Sequence, residues 1–178
     1  MKKILSLMLL LFAAMMTTAT FTACGDDDDD NPTTETPAQK AAGTYSGTDK
    51  VTIGGQWTYE SSADYTVTAN TDGSINLTVG EEKYANTVIG DITQGTFTIK
   101  NIPYDAATLS FTKNYAADKI YAHVKSPMMD NDYLLSSETE TITVTPQADG
   151  SIKVVNSQYT YGTRMPFKID AEFTGTRK

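Results

Sequence analysis

Tyr65-Thr66-Val67-Thr68-Ala69-Asn70-Thr71-Asp72-Gly73-Ser74-Ile75-Asn76-Leu77-Thr78-Val79 decides the fold class of this 178-residue chain. Apolar residues alternate with polar ones on both sides of Asp72-Gly73, and Asp-Gly is a pair that tolerates the positive φ a tight turn needs. The stretch reads as two strands joined in a hairpin, each with one apolar and one wet face. That alternation argues for antiparallel pairing, because parallel strands covered by helices on both faces read as continuous apolar runs.

The same pattern recurs outward from this hairpin in Thr96-Phe97-Thr98-Ile99-Lys100, Ile142-Thr143-Val144 and Phe167-Lys168-Ile169-Asp170-Ala171-Glu172-Phe173. Ala148-Asp149-Gly150-Ser151-Ile152 nearly repeats Thr71 to Ile75 and predicts a second hairpin, through independent use of the same turn chemistry. Further strands are expected at 44–53, 56–60, 84–89, 108–113, 119–125 and 151–161, with Gly54-Gly55 as the first turn. Short sequential strands, about ten in all, would leave sheet edges exposed unless the sheet closed on itself. The expected fold is therefore all-β: a single antiparallel up-and-down barrel over 43–178, after a disordered acidic tether.

Composition narrows the function. Hydrophobic residues make up 39% and charged residues 20%, so most of the chain can build a core. The formal charge is −8, and from Ala41 onward eleven Lys and Arg face sixteen Asp and Glu with no basic run. Nucleic acid is excluded as a partner on that ground. One cysteine allows no internal disulfide, and the sequence implies no cofactor or metal.

Met1-Lys2-Lys3 followed by the apolar run Ile4 to Met16 has the form of an export signal. As a helix the run rises roughly 20 Å, short of the roughly 30 Å hydrocarbon core. Phe21-Thr22-Ala23-Cys24-Gly25 then resembles the lipobox of bacterial lipoproteins. The resemblance implies that residues 1–23 are removed and that Cys24 carries palmitate-type acyl chains, which hold a protein to a membrane permanently once two or three are present. Asp26 to Asp30 lack the ligand spacing of a calcium loop and read as a solvated run. They resemble the surface-export signal of Bacteroidetes lipoproteins, which implies an outer-membrane location facing outside the cell, with the periplasmic face as the alternative. Residues 24–42, with Pro32 and Pro37, are expected to be a disordered tether spanning roughly 25 Å.

Gly43-Thr44-Tyr45 and Phe173-Thr174-Gly175-Thr176-Arg177 resemble the two ends of a calycin barrel, the superfamily of lipocalins and avidins. The stretch from Gly90 through Ile92, Gly95, Phe97 and Ile99 to Pro103 resembles its central strand-turn-strand, so the likeness covers 43–177. It implies that Tyr45 and Arg177 meet at a closed end. Counting by twos from Phe167 through Ile169, Ala171, Phe173 and Gly175 puts Arg177 inward, where its guanidinium would cover the Tyr45 ring.

The same parity places Asp49 inside with Tyr45, Gly47, Val51 and Ile53, and Asn156 and Gln158 inside with Ile152 and Val154. Such polar groups either bind a ligand in the barrel mouth or are satisfied internally or turned out by a bulge. Trp57, Tyr59, Tyr159 and Tyr161 form a candidate aromatic platform for a sugar ring or peptide. His123 should face out, and a solvated surface histidine is simpler than a haem ligand partnered by Met128 or Met129. Asp130 with Asp132, and Glu81 with Glu82, read as loop solubility rather than as a glycosidase pair. No Gly-x-Ser-x-Gly motif is present and no catalytic residue is assigned. The expected function is a membrane-anchored, non-enzymatic barrel that binds a small apolar or glycan-like ligand. The alternative is a structural or adhesive accessory with a packed barrel acting through protein contacts, and an enzyme comes third. An open void of several hundred Å³ would favour the first and a filled interior the second.

Overall fold

The computed structural model describes residues 35–135, 138–162 and 165–178. The export signal, Cys24 and Asp26 to Asp30 lie outside the described residues.

Of thirteen strand segments among the described residues, twelve group into eight antiparallel legs. The first two are unbroken: β1 (Gly43–Ile53) and β2 (Trp57–Ala69). The second merges the two strands expected at 56–60 and 65–69. Leg three is β3 (Ile75–Val79) with β4 (Glu82–Thr87), and leg four is β5 (Gly90–Gln94) with β6 (Phe97–Ile102). After the short β7 (Tyr104–Asp105), leg five runs from β8 (Ser110–Asn114) through a 3₁₀ turn at Ala116–Asp118 into β9 (Tyr121–Ser126). Leg six is β10 (Met129–Leu134) with β11 (Thr141–Pro146), leg seven β12 (Ile152–Tyr161), and leg eight β13 (Met165–Arg177).

Pairing shows why the split legs count as one each. β4 with β5 and β3 with β6 are two halves of one long hairpin. Likewise β9–β10 and β8–β11 share a continuous register, carried between them by Leu135 N–H donating to Ile120 O at 2.8 Å. Chain order is kept around the wall, and β13 returns to β1 over Tyr45↔Arg177 to Ile53↔Ile169. The all-β antiparallel barrel expected is the one formed. It is nearly closed: beside the 3₁₀ turn, β6 makes no backbone ladder with leg five, although β5 pairs β9 above, Pro103 O accepts Thr112 N–H below, and Lys113 Nζ reaches Lys100 O between them.

Both Asp-Gly hairpins are present, as three-residue loops. In each, only the glycine has positive φ, +84° at Gly73 and +81° at Gly150. The aspartate ahead of it accepts the backbone N–H and hydroxyl of the following serine, Asp72 from Ser74 and Asp149 from Ser151. The shared Asp-Gly-Ser chemistry produces the same geometry twice.

Legs three and four each carry an extra residue where they bend. Val79 and Glu82 both point inward, as do Gln94 and Phe97, so inward parity changes across Gly80-Glu81 and Gly95-Thr96. Gly80 is required there, since a Cβ would lie 2.3 Å from Asp64 O. The inward faces of all legs form one core, including Tyr45, Leu77, Ile99, Phe111, Ile142 and Phe173, each at most 1% exposed. Burying each such side chain contributes about 1.5–3 kcal/mol.

The tether expected over 24–42 ends earlier than its predicted boundary. Thr36-Pro37-Ala38-Gln39 is a capping box with proline at the first helical position, and it starts the short helix α1 (Pro37–Ala41). Ala38 and Ala41 are fully buried, and Tyr45 Oη donates to Ala41 O at 2.9 Å. The folded domain therefore includes α1, which packs beside β2 at the Tyr45 end.

Candidate functional site

The barrel encloses a cluster of carboxyl and phenol groups drawn from five legs. Asp49 comes from β1, Tyr65 from β2, Glu82 and Tyr84 from β4, Gln94 from β5 and Tyr161 from β12. The parity change at Gly80-Glu81 turns Glu82 and Tyr84 inward, and the matching change at Gly95-Thr96 leaves Gln94 opposite Glu82. Asp49 is 0% and Glu82 1% exposed.

Two tyrosine hydroxyls bridge the two carboxyl groups. Tyr65 Oη lies 2.7 Å from Glu82 Oε1 and 3.1 Å from Asp49 Oδ1. Tyr84 Oη lies 2.9 Å from Glu82 Oε2 and 2.8 Å from Asp49 Oδ2. Gln94 Nε2 donates to Glu82 Oε2 at 2.5 Å, and Tyr161 Oη donates to Gln94 Oε1. Tyr65 is also stacked on Phe173, centroids 3.9 Å apart, which fixes its ring.

Four oxygen–oxygen contacts close this ring, yet the phenols supply only two protons. With both carboxylates ionised, two contacts would set lone pair against lone pair in a dry interior. Each proton taken up by a carboxyl supplies one more donor, so the ring holds at least one. Burial, followed by the neighbouring Asp49 charge, pushes Glu82 up to about 8, against the lowering effect of Tyr65, Tyr84 and Gln94. Burial raises Asp49 as well. Tyr65, Tyr84 and Tyr159 are held well above the usual phenol range, first by burial and then by charged or polar neighbours. Both carboxyls are thus shifted toward the protonated form, by burial first, and the four contacts are satisfied when the Asp49–Glu82 pair shares a proton.

A second buried pair lies across the interior, where Tyr115 Oη donates to Asn156 Oδ1 at 2.7 Å. Between it and the carboxyl ring is a void of about 10 Å³ lined by Asp49, Glu82, Gln94, Asn156 and Tyr159. A second void of about 10 Å³ lies among Val51, Tyr84, Ile92, Tyr161 and Ile169. Each has room for about one water, against roughly 300–1,000 Å³ for a small-molecule site. The space expected for an interior ligand is taken up by side chains. Among the described residues the two carboxyls are sealed from solvent by the surrounding core.

The expected site residues fall in several places. Asp49 and Asn156 are inside and satisfied by tyrosine hydroxyls. Gln158 is not inside: it sits at a bulge in β12 with φ +63°, and its backbone N–H and side-chain amide donate to Asp170. The bulge reverses parity, so Tyr159 and Tyr161 become core residues, 1% and 5% exposed. The aromatic platform therefore does not form. Trp57 meets Phe167 edge-on at 6.3 Å on the outside, and Tyr59 is half-buried, its Oη accepting Val88 N–H. Phe167, the start of the inward count, is 53% exposed. From Ile169 the count holds through Gly175; Arg177 is itself exposed at the barrel end, yet its Cζ lies 5.5 Å from the Tyr45 ring centroid while Nη2 donates to Tyr45 Oη at 3.0 Å and to Lys40 O.

His123 is exposed, and its ring nitrogens lie 2.9 Å from Asp132 and 3.0 Å from Asp130. Those aspartates stand on strand β10, not on the loop expected for them. Hydrogen bonding to Asp132, opposed by partial desolvation and supported by Asp130, raises the imidazole above its usual value. Glu82, read with Glu81 as loop solubility, is instead buried on β4, and sequence inspection did not single out Tyr65, Tyr84 or Gln94 as site residues. The one signal is the Gly80-Glu81-Glu82-Lys83-Tyr84 spacing, in which Glu82 shares a face with Tyr84.

The family model described as "Calycin-like beta-barrel domain" matches residues 41–176. No curated protein and no solved structure matches the chain.

Proposed function

The chain belongs to the calycin-like beta-barrel domain family, and from that membership we propose a non-enzymatic binding protein that meets its partner on the outside of a filled barrel. The fold is generally one of binding and transport rather than catalysis. The observation that carries this reading is the interior itself: among the described residues its voids at the polar cluster and beside Tyr84 are about 10 Å³ each, bounded by core side chains. Larger concavities, of about 520 and 290 Å³, lie on the outer wall.

The proposed setting is the outer membrane, facing outside the cell, with acylated Cys24 as anchor and the acidic segment behind it as spacer. The resemblance at residues 21–25 supports the anchor. Cys24→Ala should move the protein from the membrane to the soluble fraction, and protease added to intact cells should remove the domain. Retention of the variant in the membrane would exclude the anchor.

The filled barrel is tested with an apolar fluorophore such as N-phenyl-1-naphthylamine, titrated into the detergent-solubilised protein. No saturable uptake is expected beyond that of detergent alone. One-to-one uptake that Ala171→Leu abolishes would place a ligand inside and overturn the reading.

A further inference from the structure

The gap beside the 3₁₀ turn is a surface cleft of about 520 Å³, lined by Lys100, Lys113, Asp118, Lys119, Ile120 and Tyr121 among others. Its size falls within the range of small-molecule sites. Its charge is opposite to that of the molecule: the chain carries −8, yet three of its fourteen basic residues meet here against one acid. Lys113 is committed, since its Nζ spans the gap to Lys100 O at 2.7 Å and pairs with Asp118 Oδ2 at 2.5 Å. Lys100 and Lys119 are exposed and have no ion-pair partner among the described residues.

Two further observations point to recognition rather than to a chance hollow. Tyr121 stands 56% exposed at the cleft, an aromatic ring that burial does not explain. Lys119, beside the gap, holds left-handed backbone, φ +51°, a conformation costly for a long side chain, whereas the left-handed Asn101 across from it is accounted for by the bulge in β6 and its N–H bond to Asn76 Oδ1. At Lys119 it ends the 3₁₀ turn that parts leg five from β6.

Resting on the reading that recognition is external, we propose that this cleft binds an acidic sugar, its carboxylate or sulfate held between Lys100 and Lys119 and its ring laid on Tyr121. An ammonium is a point charge suited to either anion, and a phenol ring offers an apolar face with a polar edge to a sugar. Asp118 Oδ1 remains to accept a sugar hydroxyl.

The test is calorimetric titration of the detergent-solubilised full chain with trigalacturonate, a heparin-derived tetrasaccharide and neutral cellotriose as separate arms, with inorganic sulfate as a fourth. Binding of either acidic sugar is expected, weakening about fivefold or more between 50 and 300 mM salt as screening grows. Which acidic arm binds distinguishes carboxylate from sulfate. Lys100→Ala with Lys119→Ala should lose about tenfold or more in affinity, and Tyr121→Ala should lose affinity without changing the salt dependence. Both are surface changes, and an unchanged thermal midpoint verifies folding. The proposal is overturned if cellotriose binds as well as the acidic sugars, if sulfate alone matches them, if neither acidic sugar binds, or if the double lysine variant binds normally. Failure here with the apolar fluorophore still excluded removes this cleft and leaves external recognition standing, whereas fluorophore uptake removes the reading beneath it.

Discussion

Asp49 and Glu82, thirty-three positions apart in sequence and on different strands, share the same two tyrosine hydroxyls inside the barrel. Neither carboxyl reaches solvent or a basic group; each is satisfied by donors that the other also uses. A proton is therefore part of the folded structure, as a metal or a water is elsewhere.

Stability should consequently fall as pH rises. Glu82 sits at about 8 in the folded protein against 4.5 when unperturbed, so the folded state binds a proton that the unfolded chain has already released between those values. The contribution is complete below about pH 4.5, shrinks through neutrality and is lost above about pH 8, on the order of 2–4 kcal/mol in all. Asp49 and His123, both raised, act in the same direction. Exposed Asp64, Asp72, Asp105 and Asp149 are lowered by their hydrogen bonds and act oppositely, below the usual carboxylate range. Urea denaturation from pH 3 to 9 should show a maximum on the mildly acidic side; a plateau from pH 5 to 9 would contradict it.

Glu82→Gln keeps the shape and removes the titration. At pH 8 the variant should be more stable than the parent by about 1–3 kcal/mol, and at pH 5 within about 1 kcal/mol of it. The two pH curves should converge on the acid side. Parallel curves would place the proton elsewhere in the ring.

Gly47→Ala should be among the most damaging single changes outside the polar cluster. A Cβ there would lie 2.0 Å from Thr174 O on the neighbouring strand, where backbone cannot yield, so a loss of about 3 kcal/mol or more is expected. Gly73→Ala meets nothing within 4 Å and should lose only about 1 kcal/mol, through its positive φ. Thermal unfolding of the two variants side by side measures the difference.

Tyr45 and Arg177 should be energetically coupled, because the guanidinium both lies against the ring and donates to its hydroxyl. The double variant Tyr45→Ala, Arg177→Ala should lose about 0.5–1.5 kcal/mol less than the two single losses added. Strict additivity would remove the pairing. Lys40 O, the other acceptor of Arg177, ties α1 into the same end.

What could be read from the chain alone was whatever repeats with period two or follows from a local turn. Alternation fixed the strands and their antiparallel sense, Asp-Gly fixed two hairpins, and parity from Ile169 placed Ala171, Phe173 and Gly175 inside. The same parity argument failed at Gln158, and it could not find Glu82 or Gln94, because one extra residue at a bulge reverses every side chain beyond it. Such insertions are invisible until the partner strand is known. Ten apparent strands became eight legs for a related reason: a 3₁₀ turn or a kink interrupts a local pattern without ending the wall. The sequence by itself determined a β-barrel with the calycin pattern at its two ends. Only the tertiary structure decided that the barrel is full, that its centre holds two carboxyls on shared tyrosines, and that its wall parts beside Lys119, since these depend on which distant residues are brought face to face.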